Sequence, residues 1–224
     1  MNAEAVNPLI IIPVYNGRDS LLALIKRIPK RYDLPLMIVD DGSNDGLVED
    51  DLAGALYLKH DSNKGKGAAL KTGFDSAKGR GYSHAITLDA DGQHDPDQIN
   101  NFYTSMLKHP DAIINGKRDI LNASMPFHRK LSNNITSLII SLRSGYLVRD
   151  SQVGYRCYPL RDSRLWDIDE QGFQFESAVY FNASKLRLKL IWQSIPVIYG
   201  NESSHMNLVK DTLRFIRTIF RSFL

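Results

Sequence analysis

Two carboxylates separated by a single residue, Asp89 and Asp91, directly follow an apolar run at residues 84–88. The run predicts a buried strand, and Gly92 and Pro96 predict the turn that ends it. Ligands of open α/β sheets bind outside the carboxyl ends of the strands, where an unpaired charge is costly to bury. A Mg²⁺ or Mn²⁺ ion carrying a phosphorylated substrate would compensate both charges, because these ions prefer oxygen ligands. The alternative is a turn that uses Asp and Gly only for its own geometry.

A second pair of acids, Asp40 and Asp41, ends the apolar run at residues 36–39. Acids at strand ends of nucleotide-binding sheets hydrogen-bond the ribose, so both residues are candidates for contacts to a ribose or a base. The alternative is that the Asp-Gly-Ser sequence at 41–43 forms a helix cap or an Asx turn. The two interpretations can hold for different members of the pair.

A loop rich in glycine and lysine, Asn-Lys-Gly-Lys-Gly at residues 63–67, precedes a helix predicted at about 68–77. Its glycines allow close backbone approach, Lys66 supplies positive charge, and a helix N-terminus attracts anions. The loop therefore predicts an anionic ligand, although its spacing differs from that of a P-loop. A solvated basic loop is the alternative.

Strands and helices alternate over roughly the first half of the chain, which predicts an α/β fold with a mostly parallel, Rossmann-like sheet flanked by helices. Because parallel strands share a carboxyl end, the acids and the lysine loop are expected to meet at one edge of the sheet. The expected strands lie at residues 9–14, 36–39, 56–59, 84–88 and 112–116, and one more lies within 188–199. Further helices are expected at 21–28, 96–107 and 125–146, and one more follows residues 173–176 and runs to 186.

The composition limits the partners and the compartment. A formal net charge of +3 over 224 residues gives no indication of a nucleic-acid partner. The single cysteine, Cys157, excludes an internal disulfide framework and a zinc cluster, fits a reducing compartment and is interpreted as a packing residue. No secretion signal begins the sequence, and no apolar run approaches the roughly 20 residues that span a bilayer. We therefore expect a cytoplasmic protein, peripheral on the inner face of the cell membrane.

The last segment, residues 206–224, predicts a basic amphipathic helix. Its cations fall on one stripe, and its apolar residues form a parallel one; the cations are Lys210, Arg214, Arg217 and Arg221. This distribution suits a membrane interface, where the apolar stripe is buried and the cations meet anionic lipids. The alternative is that the apolar stripe packs on the protein's own core.

Four motifs occur together in one order: Pro-Val-Tyr-Asn at 13–16, Asp-Asp-Gly-Ser at 40–43, the lysine loop at 63–67, and Asp-Ala-Asp-Gly-Gln-His at 89–94. Together they resemble the family 2 glycosyltransferases of GT-A fold, above all the dolichyl- and polyprenyl-phosphate sugar synthases. The resemblance is strong from about residue 9 to 118 and continues more loosely through 150–156 and 175–176. It implies a catalytic domain at 1–205, with a nucleotide-binding part to about 118 and an acceptor part after it, and the tail helix at 206–224.

The resemblance also implies a nucleotide-sugar donor, an inverting transfer, a lipid or lipid-phosphate acceptor and roles for individual residues. The donor site would be lined by Pro13, Tyr15, Asn16, Asp40, Asp41, Lys66, Gly67, Asp89 and Ala90. The metal ligands would be Asp89, Asp91 and Gln93. The acceptor would be held by Arg118, Arg129 and Ser132, with Arg156, Glu176 and His205 as further contacts.

Catalysis is assigned to Asp91, Asp150 and Gln152. Displacement at the anomeric carbon requires stabilisation of the leaving diphosphate, which a metal ion on Asp91 would provide. A phosphate acceptor is already an anion and needs no base. A saccharide or lipid hydroxyl would need one within hydrogen-bond reach, and Asp150 is then the candidate, with Glu176 or His205 behind it.

The acceptor and the reaction class have alternatives. Related lipid-phosphate synthases carry an Arg and a Gly-x-Ser-Lys pattern before their C-terminal helices, and residues 199–206 lack that Arg and Lys. The sequence at 89–92 also resembles the nucleophile loop of haloacid dehalogenase phosphatases, but three expected strands precede it here. A non-catalytic donor-binding scaffold, working with a membrane protein partner, is a third class. His94 either supports the neighbouring acids or caps the next turn.

Overall fold

The computed structural model describes residues 6–29, 33–118, 127–172 and 174–196, with the side chains of all of these except 127–132. Strands and α-helices alternate along these ranges. In chain order they are β1 (Pro8–Val14), α1 (Arg18–Arg27), β2 (Leu36–Asp40), β3 (Leu56–Lys59), α2 (Lys66–Gly79), β4 (His84–Thr87), α3 (Ile99–Lys108), β5 (Ala112–Arg118), α4 (Phe127–Ser144), β6 (Arg156–Pro159), α5 (Gln174–Lys185) and β7 (Lys189–Ile195).

The strands form one sheet in the order β3-β2-β1-β4-β6-β5-β7. Strand β6 is antiparallel to both of its neighbours, and every other neighbouring pair is parallel. The predicted α/β class and the mostly parallel sheet are therefore confirmed. The carboxyl ends of β1, β2 and β4 point the same way, and the loops that follow them carry the residues with candidate chemistry.

The core lies on both faces of the sheet, and β1 explains why. All seven residues of β1 are buried, as a continuous apolar run in a central parallel strand requires. Alternate side chains point to opposite faces, so Leu9 and Ile11 join one cluster of buried residues and Ile10 and Ile12 join the other. Helices α2 and α5 cover the first face, and α1 and α3 cover the second.

Strand β6 is an element that the sequence did not predict. Its residues Arg156–Pro159 are all buried between β4 and β5, although the strand begins with an arginine and ends with a proline. The arginine and the proline disguise the strand, because isolated charges and prolines normally indicate a loop or an edge. Cys157 is fully buried within it and unpaired, which confirms that it is a packing residue.

In the described ranges, no helix has both the length and the apolar character needed to cross a bilayer. The predicted tail helix at 206–224 lies outside the described residues.

Candidate active site

Lys66 connects two acids at the carboxyl edge of the sheet. Strand β4 ends at Thr87, and Asp89 follows two residues later. Lys66 is the first residue of α2, and its Nζ lies 2.5 Å from Asp89 Oδ1 and 3.1 Å from Glu176 Oε2 on α5. The prediction that the lysine loop and the acids after β4 meet at one edge is therefore confirmed.

Charge compensation keeps Asp89 and Lys66 ionised although both are mostly buried. Burial alone would raise the pKa of Asp89, but the charge of Lys66 and a hydrogen bond from His94 hold that pKa below its usual value. Burial alone would lower the pKa of Lys66, but Asp89 and Glu176 raise it. Glu176, predicted as an acceptor contact, instead contacts Lys66, and its Oε1 is buried with no hydrogen-bond partner in the described part of the chain.

His94 contacts the acids rather than capping a turn. Its Nε2 lies 3.3 Å from Asp89 Oδ2, and its ring packs against Tyr155 with the centroids 5.2 Å apart. The next turn is capped by Asp95, whose carboxylate accepts from the backbone N–H of Asp97. Of the two alternatives for His94, the structure supports contact with Asp89.

Asp91 is the carboxylate here with the least compensation. Its Oδ1 accepts the backbone N–H of Gln93 at 3.0 Å. Burial and the negative charge of Asp89 both raise its pKa, so the ionised form needs a nearby cation. Among the described residues, no group of three or more His, Cys, Asp or Glu side chains could hold a metal ion alone. The donor set nevertheless fits Mg²⁺ or Mn²⁺, because these ions take one or two carboxylates and complete their shell with water and substrate phosphate.

Gly154 belongs to the site, although the sequence analysis gave it no role. A Cβ added to Gly154 would lie 2.5 Å from either carboxylate oxygen of Asp89 and 2.7 Å from Lys66 Nζ. Its carbonyl accepts a 2.7 Å hydrogen bond from Thr87, the last residue of β4. The backbone at Gly154 therefore forms a wall of the Lys66–Asp89 pair, and a larger residue would occupy that space.

The carboxylate of Asp40 stabilises the turn that follows β2. Its carboxylate is fully buried and accepts the Ser43 N–H at 2.7 Å, the Tyr57 hydroxyl at 2.8 Å and the Lys59 Nζ at 3.1 Å. Burial would raise its pKa, but these hydrogen bonds lower it. With both oxygens taken, the turn alternative describes Asp40 better than a contact to ribose or base.

Asp41 likewise holds the lysine loop in place. It accepts the backbone N–H groups of Lys64 and Gly65 at 2.9 and 2.7 Å, and its Oδ1 lies 2.7 Å from His60 Nδ1. Gly65 has a φ of +101°, and its α-carbon faces the carbonyl of Gln171, so only glycine fits there. His60 is a supporting residue that the sequence analysis missed, because a lone histidine after a strand carries no motif.

The predicted donor contacts at the end of β1 and just after it differ in their exposure. Pro13 is buried in β1. It lies beyond Ile11, the last residue of β1 that pairs with β4, so the missing N–H of the proline costs no hydrogen bond to that strand. Asn16 has a φ of +49°, and its amide oxygen accepts the N–H of Asn44. Tyr15 keeps 41% of its surface exposed, so its ring is available to a ligand at this edge.

Arg118 and Asp150 form a further ion pair among the predicted site residues. Arg118 ends β5, and its Nε and Nη2 donate to the two carboxylate oxygens of Asp150 at 2.8 and 2.9 Å. The backbone N–H of Arg118 and Asn133 Nδ2 add two more hydrogen bonds to Asp150, at 3.3 and 3.1 Å. Asp150 is fully buried, so its oxygens are committed to these partners. This geometry does not support the predicted role of Asp150 as a general base.

Arg156 was predicted to contact the acceptor, and the structure corrects this. The side chain is only 1% exposed, and its three donor groups bind the carbonyls of Val153, Glu176 and Ser151 at 2.8–2.9 Å. Its guanidinium also lies 4.8 Å from the ring centroid of Tyr180. Arg156 therefore fixes the 150–154 loop, which carries Asp150 and Gly154, against α5.

The remaining predicted residues have different outcomes. Gln152 is exposed between buried neighbours and can reach a ligand. Gly67 packs against Phe175, and Ala90 is partly buried. Arg129 and Ser132 belong to α4, but their side chains lie outside what the structure describes, as does all of His205.

Comparison with known sequences identifies relatives. The model of the family described as glycosyl transferase family 2 matches residues 9–164. Polyprenol monophosphomannose synthase of Mycolicibacterium smegmatis is 31% identical over 182 residues, covering 75% of this chain and 68% of that protein. The UDP-N-acetylglucosamine–dolichyl-phosphate N-acetylglucosaminyltransferase of Methanococcus voltae is 32% identical over 171 residues, covering 66% and 68%. Undecaprenyl-phosphate mannosyltransferase of Micrococcus luteus is 28% identical over 204 residues, covering 85% and 82%.

Comparison with solved structures identifies the fold. The crystal structure of glucosyl-3-phosphoglycerate synthase from Mycobacterium tuberculosis, in complex with Mn²⁺, UDP and glucosyl-3-phosphoglycerate, superposes with a TM-score of 0.76. The superposition covers 97% of this chain and 80% of that one at 16% sequence identity. The two chains therefore share the GT-A fold.

Proposed function

The chain belongs to glycosyl transferase family 2, and from this we propose that it transfers a sugar from a nucleotide-sugar to the phosphate of a polyprenyl phosphate. Glycosyltransferase activity follows from the family and excludes the phosphatase alternative. The acceptor class is supported by relatives whose names specify polyprenol, dolichyl phosphate or undecaprenyl phosphate. A phosphate oxygen attacks the anomeric carbon, the bond to the nucleoside diphosphate breaks, and a single displacement inverts the configuration.

The donor end is assigned to the acids after β4. Asp91, with Asp89 and Gln93 beside it, would hold Mg²⁺ or Mn²⁺, which when bound neutralises the leaving diphosphate. Lys66 holds Asp89 in place and adds positive charge at the N-terminus of α2, where an anion is favoured. Tyr15 offers an exposed ring for the nucleotide at the same edge of the sheet.

The geometry of the Arg118–Asp150 pair favours a phosphate acceptor over a hydroxyl acceptor. A hydroxyl acceptor needs a base, and the buried Asp150 has both oxygens committed to Arg118 and Asn133. A phosphate acceptor needs a fixed cation, and Asp150 holds the guanidinium of Arg118 in a bidentate pair, with the side chain 16% exposed. We therefore assign Asp150 as a positioning residue for Arg118, and Arg118 as the contact to the acceptor phosphate.

Asp150→Asn tests this assignment. The amide keeps a hydrogen bond to Arg118 but loses the charge, so we expect KM for the acceptor to rise about tenfold, the scale of one charge-assisted hydrogen bond. We expect kcat to change by less than about threefold, the donor Kd to stay constant and the pH profile of kcat to keep its shape. Steady-state kinetics with each substrate varied separately, across pH, measures all four.

Two further variants make the result decisive. Arg118→Gln should raise the acceptor KM as Asp150→Asn does, and the double variant should add little, because both remove one contact. Lys117→Gln, the neighbouring charge removal on β5, should leave the acceptor KM unchanged. Loss of kcat by about 10² or more in Asp150→Asn, with the acidic limb of the pH profile abolished, would instead assign a base and a hydroxyl acceptor.

The same proposal places the protein peripherally on the inner face of the cell membrane, where a polyprenyl phosphate presents its head group. The basic stripe and apolar stripe at residues 206–224 support a tail that lies in the interface, alone or beside a membrane protein partner.

A further inference from the structure

Helix α4 has its polar side buried and its apolar side exposed. From residue 133 onward, where its side chains are described, the buried residues recur at i, i+4, i+7 and i+11, and three of these four are polar: Asn133, Ser137, Ile140 and Ser144, none more than 7% exposed. On the opposite side, Ile135, Leu138 and Leu142 are 49, 59 and 78% exposed. An ordinary surface helix has the reverse arrangement, with apolar residues towards the core.

Hydrogen bonds fix this orientation. Asn133 donates to Asp150, and the Ser137 hydroxyl bonds both the hydroxyl and the backbone N–H of Ser151 at 3.1 Å. At the other end of the helix, Ser184 of α5 donates to the Ser144 carbonyl at 2.7 Å. Rotating the helix to bury its leucines would leave these buried polar groups without partners, at a cost of about 1–3 kcal/mol each.

A fourth exposed apolar side chain follows the helix closely in sequence. Leu147, three residues after α4, is 71% exposed. Together with the three exposed residues of α4 it accounts for most of the large apolar side chains that lie exposed in the described residues, the others being Tyr15, Val48 and Leu107. A concentration of this kind indicates a binding surface, because single exposed leucines elsewhere need no explanation. We call Ile135, Leu138, Leu142 and Leu147 the outer face of α4.

The charges of this segment identify the partner. Residues 127–149 contain four cations and no Asp or Glu; the cations are Arg129, Lys130, Arg143 and Arg149. An apolar face in a segment whose charged residues are all cations complements an anionic lipid surface, where the apolar side chains enter the acyl boundary and an exposed cation such as Arg149 meets the head groups. Arg143 instead packs against α5, with its guanidinium 6.0 Å from the centroid of the Phe181 ring. The segment carries cations near both ends and no acid, a distribution typical of helices that lie on anionic bilayers.

We propose that the outer face of α4 lies on an anionic bilayer surface. The helix then separates the lipid from the Arg118–Asp150 pair, because its inner face carries Asn133, which binds Asp150. The proposed membrane contact rests on the proposed function in one respect, since a lipid-linked acceptor would present its phosphate beside this helix. The burial pattern and the charges of α4 do not depend on the acceptor.

A single-cysteine label tests the contact directly. The native Cys157 is fully buried, so a polarity-sensitive thiol dye should react with Leu142→Cys in the full-length chain and not with Cys157. Leu107→Cys on α3, 49% exposed, is the matched control. With vesicles of equal parts phosphatidylglycerol and phosphatidylcholine, emission at position 142 should shift to the blue and be quenched by brominated lipid, whereas position 107 should not respond. Phosphatidylcholine vesicles should give a weaker response.

A binding measurement completes the test. Leu138→Gln with Leu142→Gln should lower partition to the mixed vesicles by about tenfold or more, since two leucines are removed from the interface. Three results would overturn the proposal: vesicle binding without a response at position 142, unchanged partition with a lower unfolding midpoint, or loss of a dimer in light scattering with unchanged partition. Transfer to a short-chain, water-soluble polyprenyl phosphate should be the same in this variant and the wild type. Absence of transfer by both the variant and the wild type would contradict the proposed function but would leave the proposed membrane contact of α4 unaffected.

Discussion

Asp91→Asn is expected to lower the rate of sugar transfer by about 10³-fold or more while the protein stays folded. A rate factor of this size corresponds to about 4 kcal/mol, which lies within the several kcal/mol that a bound metal contributes to a charged transition state. Among the described residues Asp91 forms no salt bridge, whereas Asp89 is paired with Lys66. Asp91 is therefore the carboxylate whose negative charge a bound metal ion would compensate.

The stability of the same variant separates loss of function from loss of structure. Burial and the charge of Asp89 raise the pKa of Asp91. An acid whose pKa is higher in the folded than in the unfolded state destabilises the fold above its unfolded pKa, so removing its charge should raise the metal-free unfolding midpoint at neutral pH. In the wild type, Mn²⁺ with a nucleoside diphosphate should raise the midpoint further, and the variant should lose that increment.

Asp97→Asn, an exposed carboxylate a few residues away, is the matched control and should behave as the wild type. Transfer by Asp91→Asn at more than about a tenth of the wild-type rate would remove the metal role from this residue.

Arg156→Met is expected to be the most destabilising of the single substitutions considered. The arginine satisfies three buried carbonyl groups at once, on Val153, Ser151 and Glu176. Methionine fills similar volume without the cost of a buried charge, but the three carbonyls keep their dipoles and lose their donors. At about 1–3 kcal/mol for each unsatisfied group, the loss is about 3 kcal/mol or more. For a chain of this size the unfolding midpoint should fall by about 6 °C or more.

Arg164→Met is the control, because Arg164 is exposed and paired with Asp162 on the surface. We expect its midpoint to match the wild type, since exposed ion pairs contribute little. Thermal unfolding of both variants at one pH and ionic strength makes the comparison. Equal midpoints for the two would mean that Arg156 does not fix the 150–154 loop, and the assigned position of Asp150 would lose its support.

The sequence predicted those parts of the fold whose signal is local. β1 is a continuous apolar run and β4 is a short strand with an apolar centre, and the acids that follow β4 lie where parallel strands end, so their meeting with Lys66 could be expected. β6 could not be predicted, because one of the carbonyls that its arginine binds, that of Glu176, lies 20 residues away along the chain. A pattern of residue types does not contain such a partner.

The same limit applies to the roles of the acids. Asp150 and Asp40 look like ligand contacts in the sequence, since Asp150 lies in a cluster of polar residues and Asp40 ends an apolar run. Their actual partners, Arg118 and Tyr57, lie 32 and 17 residues away along the chain. Burial and pairing decide whether a carboxylate binds a ligand or supports a loop, and both depend on the folded structure.

A paired transfer assay distinguishes a polyprenyl phosphate acceptor from a lipid alcohol. The purified chain is incubated with a panel of radiolabelled nucleotide-sugars, Mn²⁺ or Mg²⁺, and either a polyprenyl phosphate or the polyprenol of the same length. We expect a mild-acid-labile lipid product with one nucleotide-sugar and the phosphate, with inverted anomeric configuration, and no product with the alcohol. A product formed from the alcohol, and none from the phosphate, would overturn the proposed acceptor.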